Sequence, residues 1–340
     1  MGHERVTSSD VARLAGVSRS AVSRVFTPGA SVSPKTAEKV REAADTLGYR
    51  PNVLARSLIT GRSRMIGLVV AYLENYFYPE ALEKLSNALQ AEGYHVLVFM
   101  ASQTAGNIDQ VLEEILDYQV DGIIMASVAL SSELTARCQA AGVPVLLFNR
   151  SQDDAGVSAV TSDNLDGGRQ VAQFLHAAGH RRFGHIAGWE GASTQRDREH
   201  GFSEGLRALG INGYERQVGN FHYEQACEAA RRMFDRPDHP DALFASNDHM
   251  AFAAMDVLRY ELGLSVPGDV SVIGFDDVPP AGWPAYDLTT VRQRANLMVE
   301  RTVATILKMI EQPGATAEQH VLPAPLVVRS SARIPEGWST

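Results

Sequence analysis

At 340 residues, with 45% hydrophobic and 21% charged side chains, the chain has the composition of a globular protein and the length for two or three domains. No apolar run approaches the roughly 18 residues of a membrane helix, MGHERVTSSD lacks the apolar core of a secretory signal, and Cys138 and Cys227 follow neither disulfide nor zinc spacing. The net charge of −9 is uneven: residues 1–64 carry 11 Lys and Arg against 5 Asp and Glu, a net +6, leaving −15 on the remainder, so the expectation is a cytoplasmic protein whose basic head alone meets a polyanion.

The head reads as three short helices. Thr7, ahead of "DVARLAGVSRSAVSRV", can form a capping box with Asp10; Val11, Leu14 and Ala15 make an apolar stripe, Gly16 allows a tight turn, and Ser18 caps a second helix. That second helix carries Val22 and Val25 on one side and Arg19, Ser20, Ser23 and Arg24 on the other. The third follows Ser33 and Pro34, with Ala37, Val40, Ala44 and Leu47 as its inner stripe, and Gly48 ends it. A bundle of this kind fits a helix-turn-helix DNA reader, because arginine can pair bidentately with guanine O6 and N7, and small hydroxyls let the backbone approach the groove. Next, "RPNVLARSLITGRS" reads as a short helix with Asn52 as its cap and with Leu54, Leu58 and Ile59 too apolar for a plain linker. A helix this short is marginal alone and needs a partner to stay ordered.

From residue 64 the pattern alternates apolar strands with helices: "MIGLVVAY", a helix over 79–92, "YHVLVFM", a helix near 108–118, "DGIIMAS", another helix and "VPVLLFN". It restarts with a helix from about residue 166, "RFGHIAG", a helix through Phe202, a strand near Gln217, a helix from Tyr223, "DALFASN", a helix and "VSVIGFDD". "LTTVRQ", a helix near 297–311 and "VVRSSA" close the chain. Two rounds of βαβα imply two parallel-sheet subdomains, with ligands at the carboxyl ends of the strands. Those ends carry Tyr72, Asn149, Phe221, Asn247 and Asp276, with Arg198 nearby and Gln293 closing "LTTVRQ". Such a set suits a small polyhydroxylated ligand: the carboxylate accepts from adjacent hydroxyls, the guanidinium donates, and an aromatic covers the ring face. Asp276 and Asp277 are adjacent on a strand end, so their side chains should diverge and make a poor acid–base pair.

"TSSDVARLAGVSRSAVSRVF" and "VSPKTAEKVREAADTLGYRPNVLARSL" closely resemble the LacI/GalR family of bacterial transcriptional regulators. The resemblance implies that Arg19 and Ser20 take the two variable base-reading places, Arg24 a later arginine place, and Leu58 a minor-groove wedge, with Arg56 on phosphate. The full set expected on DNA is Thr7, Ser18, Arg19, Ser20, Ser23, Arg24, Asn52, Ala55, Arg56 and Leu58. In the body the resemblance places effector contacts at Asn149, Arg198, Phe221, Asn247 and Asp276, and adds Tyr76 and Phe77 as an aromatic pair. Ala295 stands where a relative has phenylalanine. Arg196 beside Arg198 leaves room for an acidic ligand.

The fold expected is an all-α three-helix head (1–50), a hinge helix and linker (51–63), and an α/β, periplasmic-binding-protein-like body (64–340). Within the body, one subdomain takes about 64–162 and 294–323 and the other about 163–290 and 324–340. The function expected is a ligand-controlled, sequence-specific DNA-binding regulator, a repressor acting as a homodimer on a pseudo-palindromic double-stranded operator, with a sugar as effector. A nucleobase or sugar-acid corepressor is the alternative, and an α/β enzyme or solute-binding protein comes further behind. Dinucleotide, phosphate-loop, hydrolase-elbow and zinc-protease motifs are missing from the sequence, so no catalysis, cofactor, metal or membrane is expected. The carboxyl-terminal "RIPEGWST" has no heptads, which argues for a dimer and not a tetramer.

Overall fold

Local capping chemistry sets the head. The computed structural model describes residues 6–27, 29–50, 62–101, 108–127, 137–138, 140–152 and 156–338, and the chain divides into two units, Met1–Arg64 and Met65–Thr340. In the first, α1 (Ser8–Ala15), α2 (Arg19–Val25) and α3 (Pro34–Leu47) pack around Val11, Ala12, Val22, Val40, Ala43 and Ala44. The Asp10 carboxylate accepts from the Thr7 amide at 3.0 Å and hydroxyl at 2.7 Å, and Ser18 and Ser33 accept from the amides of Ala21 and Thr36. Gly16 takes the left-handed conformation that the turn between α1 and α2 requires, φ 65°. Leu14 differs from expectation: it is 54% exposed, and Ala12 takes its place on the inner face.

The second unit holds two six-stranded sheets. The first runs β11–β5–β4–β3–β1–β2, from β1 (Met65–Val70), β2 (His95–Met100), β3 (Gly122–Ala126), β4 (Val145–Phe148), β5 (Ser158–Ser162) and β11 (Gln319–Leu322), all parallel. The second runs β12–β10–β9–β8–β6–β7, from β6 (Phe183–Ala187), β7 (Glu215–Val218), β8 (Ala242–Ala245), β9 (Ser271–Asp276), β10 (Thr289–Arg292) and the antiparallel β12 (Leu326–Val327). Each sheet starts its chain in the second position and reverses direction there, so each has a topological switch point, at β1/β3 and at β6/β8. The helices are α4 (Phe77–Ala91), α5 (Ile108–Asp117), α6 (Asn164–Ala177), α7 (Ser193–Ala208), α8 (Tyr223–Phe234), α9 (Asp248–Asp256) and α10 (Ala295–Glu311). The chain passes between sheets after β5, after β10 and after β11.

Two strands escape the sequence pattern. β5, "SAVTS", is fully buried despite two serines and a threonine, because Ser158 accepts from the Glu318 amide and Ser162 donates to Gln293, both far along the chain. β11 lies at the sheet edge, and "VVRSSA" yields only the two-residue β12 overlapping its start.

Helices α6 and α7 approach so closely that only glycine fits between them. A Cβ at Gly168 would overlap the Arg198 carbonyl oxygen, and one at Gly201 the Leu165 carbonyl oxygen. This contact brings Arg198 against Asn164. Gly201→Ala is expected to destabilise the second unit by about 1–3 kcal/mol. Denaturant unfolding followed by tryptophan fluorescence checks it, because Trp189, Trp283 and Trp338 all lie in that unit.

Candidate functional site

On the head, Arg19, Ser20, Ser23 and Arg24 lie exposed along α2 opposite buried Val22. Among the described residues neither arginine has a carboxylate partner; Arg24 folds back onto the Ser20 carbonyl at 3.3 Å. Ser18 and Ser20 share a 3.0 Å hydrogen bond. Asn52, Ala55, Arg56 and Leu58 lie outside the described residues.

In the body, the carboxyl ends of the strands carry unusual backbone. Ser127, Asn149, Asn220, Phe221, Asp276 and Asp277 all have positive φ, between 52° and 131°. L-residues take this conformation at a cost, and such strain collects where side chains are aimed at ligands.

Asp276 is the centre. It is 3% exposed and accepts from Gln293 Nε2 at 2.6 Å and Asn75 Nδ2 at 3.2 Å, while Arg198 Nη2 stands 3.5 Å away. Burial pushes its carboxyl up and Arg198 opposes the rise. Gln293 in turn accepts from Ser162 at 3.0 Å, so one amide joins the ends of β5 and β9 from the two sheets. Arg198 is fixed on all sides: Nε donates to Asn164 Oδ1 at 2.8 Å, Nη1 to the Ser246 carbonyl at 2.6 Å, and its guanidinium lies 3.7 Å from the Phe275 ring centre. Asp277 diverges, pairing instead with Arg292 and Arg329.

Around this pair stand partly satisfied amides. Asn149 donates to the Tyr78 hydroxyl at 3.3 Å and Asn247 caps α9 by accepting from the Met250 amide at 3.0 Å. Among the described residues Asn149 Oδ1, Arg150 Nε and Asn247 Nδ2 are buried with no hydrogen-bond partner. Buried polar atoms left unpaired are costly, and these three lie just beyond the carboxyl ends of β4 and β8. Tyr72 lies edge-on to Tyr78 at 5.4 Å, and Phe221 closes over Gly188 beyond β6.

Three expected contacts fall elsewhere. Arg196 is exposed and donates to the Glu190 and Gly191 carbonyls at 3.5 and 3.3 Å; two residues along a helix is about 200°, so it faces away from Arg198. Tyr76 is 47% exposed, and Phe77 is a core residue stacked on Phe148 at 6.1 Å. The aromatics beside Asn149 are Tyr78 and, edge-on to it, Tyr72. Asn75, Tyr78, Arg150 and Asn164 are further site residues; Asn164 follows the carboxyl end of β5, the strand the pattern hid. Among the described residues no group of three or more His, Cys, Asp or Glu could hold a metal ion, and no helix is long and apolar enough to cross a membrane.

A second network lies beneath. His185 on β6 is fully buried, with Nδ1 3.0 Å from the Phe244 carbonyl and Nε2 3.3 Å from the Ser246 hydroxyl. Glu199 accepts from Arg216 at 2.7 Å, Tyr214 at 2.9 Å and Gln195 at 2.7 Å. Burial pushes the imidazole down to about 4 from 6.5.

A head of helix-turn-helix type and a body of periplasmic-binding type define a DNA-binding transcriptional regulator under the control of a small ligand. Residues 7–52 match the bacterial regulatory proteins of the lacI family, and residues 172–332 match the periplasmic binding protein-like domain. The HTH-type transcriptional regulator CelR of Thermobifida fusca is 35% identical, covering 96% of this chain and 98% of that protein. Among solved structures, a CelR–cellobiose complex (32% identity, TM-score 0.73) covers 96% of this chain and is itself covered in full. A lac repressor dimer bound to operator and the anti-inducer ONPF (28% identity, TM-score 0.87) is similar over 96% of this chain and 99% of its own. The chain belongs to the lacI family of bacterial regulatory proteins.

His185 makes one contribution to the pH dependence of the fold. Its folded pKa lies below the unfolded one, so the unfolded chain binds more protons between about pH 6.5 and 4, and stability is lost as pH falls through that window. The loss attributable to this group totals about 3 kcal/mol. Unfolding at pH 7 and pH 4.5 is expected to show a steeper loss for the native chain than for His185→Phe.

Proposed function

We propose that this protein is a homodimeric repressor of the cytoplasm that reads its operator with α2 and answers to a sugar held at the strand ends around Asp276. The carrying observation is the buried Arg198–Asp276 pair, on a set of strand ends that also carries the unpaired Asn149 Oδ1 and Asn247 Nδ2. A carboxylate and a guanidinium this close offer an acceptor and a donor to vicinal hydroxyls, and Tyr72 and Phe221 supply ring faces. The cellobiose of the CelR complex supports a carbohydrate as the ligand class.

On the head, exposed Arg19 and Arg24 are the residues assigned to guanine edges, with Ser20 and Ser23 beside them and Ser18 near phosphate. Thr7 opens α1, where the first helix of such a reader crosses the backbone. A two-fold operator needs two heads.

Arg198→Ala and Asp276→Ala are each expected to abolish the ligand's effect on operator affinity. Each lowers ligand affinity by at least tenfold, because each leaves the other charge buried and alone. Asn247→Ala costs less, about 0.5–1.5 kcal/mol for a neutral hydrogen bond. Calorimetric titration with a carbohydrate that shifts operator binding of the native protein is the check. Full affinity retained by both charge variants would refute the site.

A further inference from the structure

Between the end of α2 and the middle of α3 the head holds a cavity of about 390 Å³. Arg24 from α2, Arg41 from α3, and Thr27, Gly29 and Ala30 from the loop between them stand on its wall. The described wall contains two arginines and no carboxylate. Helical spacing puts Glu38 one turn before Arg41 and Asp45 one turn after, the usual partners of a surface arginine. Arg41 pairs with neither: among the described residues no hydrogen bond or ion pair involves its guanidinium, whereas Arg13 on α1 binds Asp10 at 2.8 Å. Arg24 has one neutral partner, the Ser20 carbonyl at 3.3 Å from its Nε.

Two like charges turned to one hollow repel each other, and an anion between them relieves the repulsion. Guanidinium groups match phosphate oxygens with paired N–H bonds. The far wall is built in advance: Thr27 donates its hydroxyl to the Ser23 carbonyl at 2.8 Å, and the Ala30 amide donates to the Thr27 carbonyl at 3.2 Å. The hollow opens at the end of the helix that presents Arg19 and Ser20, and a helix lying in the major groove has a sugar–phosphate strand on either side of it. Residues 1–64 carry +6 and the remainder −15, so attraction to a duplex falls to the head, and a head cation free of any carboxylate counts fully.

We propose that this cavity seats a backbone phosphate of the bound duplex between Arg41 and Arg24, and that Arg41 anchors the head without reading sequence. This rests on the assignment of α2 to the operator and adds a contact from outside that helix. Contacts of this kind fix the register of a head on DNA and carry no sequence information themselves.

The test uses the full chain with two duplexes, one recovered from a random pool by selection with the native protein and one of mixed sequence, titrated between about 50 and 200 mM salt. Each phosphate contact contributes about 0.9 to the slope of log affinity against log salt. Arg41→Ala should therefore flatten the slope by about 0.9 per head and weaken both duplexes by about fivefold per head near 0.15 M salt. The selected motif should stay the same. Arg41→Lys, which keeps the charge, should retain the slope, and Arg13→Ala, which removes a cation already paired with Asp10, should leave it unchanged. An unchanged slope for Arg41→Ala, or an equal loss for Arg13→Ala, overturns the phosphate seat. A changed motif overturns it too, since Arg41 would then read bases. Inorganic phosphate against chloride at equal ionic strength separates a free anion from the duplex. Thermal stabilisation by phosphate that depends on Arg41, with DNA binding unaltered, assigns the cavity to a small anion and overturns the proposal. If the native protein enriches no motif, the assignment of α2 fails, and the effect of Arg41→Ala on the mixed-sequence duplex still decides the seat.

Discussion

A carboxylate buried to 3% exposure costs several kcal/mol unless protein groups replace its water, and the replacement of water around Asp276 organises the body. Its partners come from both sheets. Asn75 lies beyond β1, Gln293 beyond β10, and Arg198 on α7. Each partner is then tied back: Gln293 to Ser162, Arg198 to Asn164 and the Ser246 carbonyl. One acid therefore fixes the geometry of six strand ends and helix starts, and any ligand that competes for its hydrogen bonds acts on both sheets at once. In the proposed reading this polar joint is where a ligand would exert control, by exchanging its bonds for those of a guest without opening the apolar cores on either side.

The strained backbone is the counterpart of this joint. Asn149, Phe221 and Asp276 hold positive φ because the chain must turn sharply off each parallel strand while delivering a side chain inward. Their cost is offset by the dense apolar packing beneath, where Phe148, Phe244 and Phe275 are fully buried in the strands. The same packing lowers the dielectric around the site, which raises the penalty for any unpaired charge and so sharpens selection among ligands.

What was legible in the sequence is what short-range chemistry decides. The caps at Ser18 and Ser33, the turn at Gly16, and the alternation of apolar strands with helices depend on neighbours a few residues away. The site was legible in part: Asn149, Arg198, Phe221, Asn247, Asp276 and Gln293 stand at strand ends or on the helix beside them, as a parallel sheet requires. β5 was not legible, because its serines are satisfied by residues about 130 to 160 positions away, and with it went Asn164. Arg196 could have been removed by helical period alone. Tyr78 could not be told from Phe77 without the packing, since one residue's rotation decides which ring reaches Asn149.

The account's central claim is that Arg198 and Asp276 act as one unit. A double-mutant cycle tests it directly, using Arg198→Met, Asp276→Leu and the pair, with unfolding of the body followed by its tryptophans. If the two charges support each other, the double variant should be less destabilised than the sum of the singles by more than about 1 kcal/mol, since removing both leaves no charge stranded. Additivity within about 0.5 kcal/mol would mean that the two charges do not depend on one another, and the joint described here would not exist.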